Sequence, residues 1–92
     1  MQVRFYATLR ALVGARSLEI ALPAGASVQT LVEAIVAQHP ALAEILLDPR
    51  GSVPRGVHVF VNGRGAGYLA QGYATRLSDD DAVDIFPAVA GG

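Results

Sequence analysis

The chain has 92 residues and a mass of 9.6 kDa, which is room for one compact domain and excludes a large enzyme. Hydrophobic residues make up 52% and charged residues 16%, so the composition is that of a folded protein and not of a disordered one. The formal net charge of −1 provides no basic surface for nucleic acid, and no apolar run approaches the length that spans a membrane. We therefore expect one domain, residues 1–92, that acts in the cytoplasm and binds neither nucleic acid nor membranes.

Two residue types are missing from the sequence, and their absence limits the chemistry. Without Cys the chain has no disulfide, no thiolate nucleophile and no thiolate metal site, and without Lys it has no side-chain amine. His39 and His58 lie in unrelated segments without the paired spacing of metal ligands. The acidic run 79–81 suits a turn, and the glycines near residue 65 match no phosphate-binding motif. We predict no metal site and no permanently bound cofactor.

Alternation of apolar and polar side chains predicts two strands at the start of the chain. Residues 3–7 and 17–22 alternate on either side of Gly14, which favours an antiparallel hairpin. The side chains expected to face inward are Val3, Phe5, Ala7, Leu18, Ile20 and Leu22.

A helix follows the hairpin. Apolar residues recur at helical spacing from Val28 to Val36, Ser27 suits the N-cap position, and Pro40 ends the run. A second short helix is predicted over residues 40–47, and the Pro- and Gly-containing segment 48–56 predicts a surface loop.

The second half of the chain predicts two further strands and a weaker one. Residues 57–61 alternate cleanly and end at the turn signal Asn62-Gly63. We expect a short irregular strand near Tyr68, a turn over residues 78–81, and a last strand over residues 83–86. The inward residues of the two clear strands are Val57, Val59, Val61, Val83 and Ile85.

The order strand, strand, helix, strand, short strand, strand predicts an α+β fold. The helix would cover one face of a mixed sheet in which the first and last strands are neighbours. This arrangement is the β-grasp fold, the ubiquitin-like roll.

The same strand assignment leaves an aromatic surface on the open face of the sheet. Three aromatic side chains bordered by Arg, His and Asp have the composition of a protein interface. We predict a partner-binding face there, with His58 as a hydrogen-bonding residue at its rim and not as an acid or base. The residues of this face are Arg4, Tyr6, His58, Phe60, Asp84 and Phe86.

After the last strand the sequence ends in a thin segment, residues 87–92, which we predict to be a flexible tail. Because Gly has no Cβ, Gly91 would let the tail enter a narrow channel, with Ala90 and Val89 behind it. The tail would present the α-carboxylate of Gly92 to a partner's active site. Once activated as an acyl-adenylate, that carboxylate could be captured by sulfide or by an amine, so Gly92 is the candidate reactive residue.

Three stretches resemble the MoaD/ThiS family of ubiquitin-like sulfur carriers: RFYATLRALVG (4–14), LSDDDAV (77–83) and IFPAVAGG (85–92). The resemblance implies that an E1-like adenylating enzyme of the MoeB/ThiF type uses Mg-ATP to adenylate Gly92. A sulfurtransferase or cysteine desulfurase would then supply the sulfur of a C-terminal thiocarboxylate. It also implies a MoaE-like large subunit, with which the chain would form molybdopterin synthase without being a catalyst by itself.

Several other functions share this fold and this tail. A carrier of the CysO type for cysteine biosynthesis and a carrier for tRNA thiolation are the alternatives within the family. A ubiquitin-like protein modifier would use the same activated Gly92 against a lysine of a target. A binding module with an inert tail is the third class. Sulfur transfer for molybdopterin synthesis is the leading hypothesis.

Overall fold

The computed structural model describes residues 1–88. Within this range it contains five strands and three α-helices, joined by three 3-10 turns over Pro40–Leu42, Ala66–Tyr68 and Gly72–Ala74. In chain order the elements are β1 (Gln2–Phe5), α1 (Thr8–Val13), β2 (Ser17–Glu19), α2 (Val28–Gln38), α3 (Ala43–Leu46), β3 (His58–Val61), β4 (Arg64–Gly65) and β5 (Val83–Phe86).

The five strands form one mixed sheet in the order β2-β1-β5-β3-β4. β1 pairs antiparallel with β2 and parallel with β5, and β5 pairs antiparallel with β3. Phe5 and Val59 both lie opposite Ile85 in the register, so residues from both ends of the chain meet at the centre of the sheet. The predicted α+β class, the mixed sheet and the pairing of the first and last strands are confirmed.

The core lies between one face of the sheet and α2. Apart from Ala7, the residues predicted to face inward from the first, third and last strands are buried, and they share one cluster with Val28, Leu31, Val32 and Ile35 of α2. α2 begins where the sequence predicts, because the Ser27 side chain accepts a hydrogen bond from the backbone N–H of Thr30 at 3.2 Å. The remaining face of the sheet is therefore left open.

Two turns also follow the sequence prediction. Asn62 and Gly63 both have positive φ, 53° and 82°, which matches the two-residue hairpin turn between β3 and β4. The backbone N–H of Asp81 donates to the carbonyl of Ser78 at 3.0 Å and closes the turn before β5. The second short helix and the loop over residues 48–56 are present as well.

Three details of the prediction are wrong. Ala7 is exposed instead of facing inward, because the chain leaves β1 after Phe5 and turns at Ala7 with a φ of 53°. The turn leads into α1, a helix that the alternation pattern did not indicate. Tyr68 lies in a 3-10 turn and not in a strand, and β4 occupies the two residues directly after the hairpin turn instead.

None of the helices in residues 1–88 has the length and apolar character needed to span a membrane.

Candidate functional site

The open face of the sheet brings the predicted partner-binding residues together. Residues two apart on a strand share a face, so β1, β3 and β5 each place alternate side chains on the side opposite the core. The register pairs Arg4 with Asp84 and His58 with Phe86 across adjacent strands. Side-chain contacts connect all six predicted residues in one surface.

Three rings form the centre of this surface, which we call the aromatic cluster: Tyr6, Phe60 and Phe86. The rings of Tyr6 and Phe86 are stacked, with centroids 4.1 Å apart and planes within 7° of each other. Phe60 meets Phe86 edge to face at 5.5 Å, and His58 lies beside Phe60 at 6.2 Å. These are the arrangements that aromatic pairs prefer. Phe86 nevertheless keeps 36% of its surface exposed, so the cluster is open to a partner.

A polar group borders the cluster on the β1 side. The Asp84 carboxylate accepts hydrogen bonds from Nη2 of Arg4 at 3.1 Å and from the Tyr6 hydroxyl at 2.7 Å, and it forms an ion pair with Nε of Arg4 at 2.7 Å. The hydrogen bond to Asp84 raises the pKa of Tyr6 above its ordinary value, because the neutral phenol is the donor. Tyr6 therefore stays a hydrogen-bond donor throughout the physiological pH range.

Arg10 is a member of this surface that the sequence prediction missed. Its guanidinium carbon lies 5.6 Å from the centroid of the Tyr6 ring, and its Nε donates to the backbone carbonyl of Phe5 at 3.2 Å. Arg10 lies on α1 and Tyr6 lies before the turn at Ala7, so their contact depends on the path of the chain through that turn. No spacing in the sequence indicates it.

A shallow depression of about 340 Å³ lies at the end of the aromatic cluster. Its lining is wholly apolar and consists of Ala7, His58, Phe60, Phe86 and Pro87. Ala7 and Pro87 were not assigned to the surface from the sequence, since their positions depend on how the chain leaves β1 and β5.

The root of the predicted tail packs on the domain. Pro87 is buried, and a Cβ built on Gly56 would lie 2.8 Å from the Cβ of Ala88, closer than real side chains approach. Because Gly56 has no side chain, Ala88 can pack directly against the backbone at position 56. The predicted tail and reactive residues Val89, Ala90, Gly91 and Gly92 lie outside the described residues, and their roles stay predictions.

The acidic turn before β5 is a structural feature of its own. Asp81 accepts hydrogen bonds from the backbone N–H of Ser78 at 2.8 Å and from the side chain of Asn62 at 2.9 Å. These bonds lower the pKa of Asp81, because they stabilise its ionised form. Among residues 1–88 no three His, Asp or Glu side chains are grouped so that they could hold a metal ion.

Comparison with known proteins agrees with this geometry. The family profile described as the ThiS family matches residues 3–92. The chain belongs to the ThiS family. Two related proteins are similar over most of their length. The chain is 39% identical to small archaeal modifier protein 3 of Haloferax volcanii over 92 residues, which cover 100% of this chain and 98% of the relative. It is 34% identical to the sulfur carrier protein CysO of Mycobacterium tuberculosis over 70 residues, which cover 74% of each chain.

Solved structures similar to this ThiS-family chain share its fold over almost the whole length. Small archaeal modifier protein 1 of Haloferax volcanii is 29% identical with a TM-score of 0.82, covering 100% of this chain and 98% of that one. The BexX/CysO complex of Amycolatopsis orientalis contains a chain 27% identical with a TM-score of 0.79, covering 99% and 98%. A Pyrococcus furiosus structure described as a candidate for molybdopterin converting factor subunit 1 is 34% identical with a TM-score of 0.75, covering 96% and 95%.

Membership in this family fixes the broad class of the protein. The chain is a ubiquitin-like β-grasp domain of the sulfur carrier and modifier family. The relatives reported above are named as a small modifier protein and as a sulfur carrier protein, and neither name describes a catalyst.

Proposed function

We propose that this chain carries sulfur as a thiocarboxylate on Gly92 and donates it in molybdopterin synthesis. An E1-like adenylating enzyme activates Gly92, and a MoaE-like large subunit receives the loaded chain. The observation that supports this best is the aromatic cluster at the end of β5, directly before the segment that leads to Gly-Gly. A partner bound to the cluster is positioned to receive that segment.

The loading reaction proceeds in three steps. The Gly92 carboxylate attacks the α-phosphorus of Mg-ATP in the activating enzyme, which forms the acyl-adenylate and releases pyrophosphate. A persulfide on a sulfurtransferase or cysteine desulfurase then attacks the acyl carbon and displaces AMP. A thiol finally reduces the resulting acyl disulfide, which leaves the thiocarboxylate on Gly92 and oxidises the thiol to a disulfide. The chain contributes its carboxyl group and its docking surface, and the activating enzyme provides the magnesium site and the nucleotide site.

Each part of the described surface has a role in this proposal. Phe86 and Phe60 supply apolar area to the partner, because large aromatic side chains at the centre of an interface carry much of the binding energy. Arg4 and His58 lie at the polar rim. The root of the segment at Pro87 is packed on the domain, so the orientation of the cluster and the starting direction of the segment are set together.

Intact-mass spectrometry tests the proposal. The chain is incubated with an E1-like enzyme from the same cell, Mg-ATP and a sulfur donor, and we expect a mass increase equal to the replacement of one oxygen by sulfur. A chain lacking Gly91 and Gly92 is the control and stays unmodified. An unmodified full-length chain, under conditions that load another family member, would exclude the carrier function.

The recipient of the sulfur is identified in a second step. Loaded chain is mixed with the MoaE-like subunit and the pterin precursor, and we expect loss of sulfur from Gly92 together with formation of molybdopterin. Sulfur loss only with a cysteine synthase would favour the cysteine pathway, which the similarity to CysO supports.

Protein modification is the second candidate, and full-length similarity to small archaeal modifier protein 3 favours it. The acyl-adenylate would be captured by a target lysine to form an amide. Because Arg76 is the last tryptic site, trypsin would leave residues 77–92 on the target; in an Ala90→Arg variant it would leave only Gly-Gly. Peptides carrying that remnant in cells expressing the variant would establish this function. Their absence across growth and stress conditions, in a variant that the activating enzyme still adenylates, would exclude it.

A further inference from the structure

Asp84 is the only acidic residue among the six residues of the partner-binding face. It contacts two of the other five, Arg4 and Tyr6. It lies on β5 two residues before Phe86, and its side chain is only 13% exposed. Its carboxylate forms an ion pair with Arg4 and accepts hydrogen bonds from Nη2 of Arg4 and from the Tyr6 hydroxyl. These bonds join β1 to β5 across residues that are about 80 positions apart in the sequence.

The bond from Tyr6 to Asp84 determines where the Tyr6 ring lies. Its hydroxyl is bonded to a carboxylate on the neighbouring strand, and one face of its ring is stacked on Phe86. Arg10 also lies near the ring, 5.6 Å from its centroid. Rotation of this ring about its side-chain torsions would break the hydrogen bond at its far end and the stacking along its face, so both contacts restrain it.

Fixing Tyr6 in turn fixes the exposed ring of Phe86. Phe86 is stacked on Tyr6 and meets Phe60 edge to face, so its two ring neighbours leave it one orientation. A partner that binds an ordered cluster does not have to immobilise these side chains itself, and each ordering cost avoided corresponds to roughly two- to tenfold in affinity.

We propose that Asp84 is a positioning residue, which orders the aromatic cluster through Tyr6 for recognition by the activating enzyme. This inference rests on the proposed function, because it concerns the partner that adenylates Gly92. Asp84 touches neither the reacting carboxylate nor the nucleotide, so its removal should weaken recognition and leave the chemical step unchanged.

A role limited to stability is the alternative, and the geometry argues against it. Arg4 is 55% exposed, and ion pairs with one partner in water contribute little to the free energy of unfolding. Asp84 also accepts a hydrogen bond from Tyr6, a contact that a simple surface ion pair does not have. Because Tyr6 belongs to the aromatic cluster, this contact links Asp84 to the partner-binding face.

The test compares five variants of the chain with one control. Asp84→Ala removes both bonds, Tyr6→Phe removes only the hydroxyl and keeps the ring, and Arg4→Ala removes the ion pair. Glu44→Ala, an exposed acid on α3, is the control for the loss of one negative charge. We measure adenylation by the rate of pyrophosphate release at several concentrations of the chain. The dependence of the rate on concentration gives KM for the chain and kcat as separate values.

We expect Asp84→Ala to raise KM about three- to tenfold with kcat unchanged. Tyr6→Phe should give a similar increase, and the double variant should be no worse than Asp84→Ala, because both changes remove the same bond between Tyr6 and Asp84. Asp84→Asn, which keeps a carbonyl acceptor, should recover most of the affinity. Arg4→Ala removes the ion pair and a rim side chain but keeps the Tyr6 bond, so it should raise KM less than Tyr6→Phe does. Glu44→Ala should stay within twofold of the unsubstituted chain.

A spectroscopic measurement on the isolated chain accompanies the kinetics. Ultraviolet titration of tyrosine should show one phenol ionising at lower pH in Asp84→Ala, and near-ultraviolet circular dichroism should lose intensity. Unchanged spectra, or an unchanged KM in a chain that is normally adenylated, would overturn this inference alone. Failure of the unsubstituted chain to be adenylated would overturn the proposed function and the inference with it, whatever the spectra show.

Discussion

Phe86 is the large apolar side chain of the aromatic cluster that is most exposed to a partner, which makes it the residue to test first. Phe86→Ala is expected to weaken binding to the activating enzyme by about 2 kcal/mol, since truncation removes a central aromatic side chain. The melting temperature should fall by no more than about 5 °C, because the ring lies outside the core. Calorimetric titration and a thermal melt measure the two effects.

Leu12→Ala is the matched control for Phe86, since Leu12 is an exposed apolar side chain of α1 that does not line the depression. It should leave binding unchanged. A Phe86→Ala chain that melts more than about 10 °C lower would mean that Phe86 supports the core. Unchanged melting with unchanged binding would remove the aromatic cluster from the interface.

Gly56 is the residue that governs the root of the tail. In Gly56→Ala the new methyl group meets the Cβ of Ala88 at 2.8 Å, so the chain must shift where it leaves the domain. We expect loading of Gly92 to slow several-fold while the melting temperature changes little. Gly67→Ala is the control, because a Cβ there meets nothing within 4 Å and its φ is not positive. Equal loading of the two variants would contradict the importance of this approach.

Which residues share the open face could be predicted from alternation alone, but their bonds could not. Alternation places Arg4 and Tyr6 on the same side of β1, and it places Asp84 and Phe86 on the same side of β5. The hydrogen bond from Tyr6 to Asp84 depends on the register of strands from opposite ends of the chain. No local pattern contains that information.

At the scale of elements, the N-cap of α2 carries a clear prediction. Ser27→Ala removes the acceptor for the backbone N–H of Thr30 at the start of the helix that covers the core. The free energy of unfolding should fall by about 1 kcal/mol and the melting temperature by about 4–8 °C. Ser52→Ala is the control, because both hydrogen bonds of Ser52 within residues 1–88 use its backbone, one through the N–H and one through the carbonyl. Equal melting of both variants would show that the cap contributes nothing.

Long elements with a periodic pattern of apolar residues could be predicted from the sequence. Short elements could not, because contacts with the rest of the fold decide whether they form. α2 has four buried residues at helical spacing and a side-chain cap, and both signals are visible in the sequence. α1 has six residues, one buried side chain and no side-chain cap. It begins because the chain turns at Ala7, and the αL conformation of Gly14 ends it. Likewise, the glycines that follow Gly63 interrupt the alternation of apolar and polar side chains around Tyr68, so the 3-10 turn there could not be predicted.

At the scale of the whole molecule, Asp81 is expected to make stability depend on pH. Its pKa is lower in the folded chain than the ordinary 3.8, so it stabilises the fold fully above that value. This contribution is lost as the pH falls through the folded pKa and the carboxylate is protonated. In Asp81→Asn, the free energy of unfolding should therefore vary less with pH below about pH 4.

Denaturant unfolding at several pH values measures this dependence. Asp79→Asn removes the same charge from the same turn but not the bonds to Ser78 and Asn62, so it should retain the dependence attributed to Asp81. Identical pH profiles for Asp81→Asn and the unsubstituted chain would contradict the assignment.

The position of β5 has a consequence for how the protein is made. β5 is the last described element along the chain, yet it lies in the sheet between β1 and β3. While a ribosome is still synthesising residues 83–86, β1 and β3 have no partner between them and the sheet is incomplete. A prematurely terminated chain thus lacks a central strand and is exposed to proteolysis. Because β5 is the last strand to be synthesised, the sheet can close only after residues 1–86 have all been made.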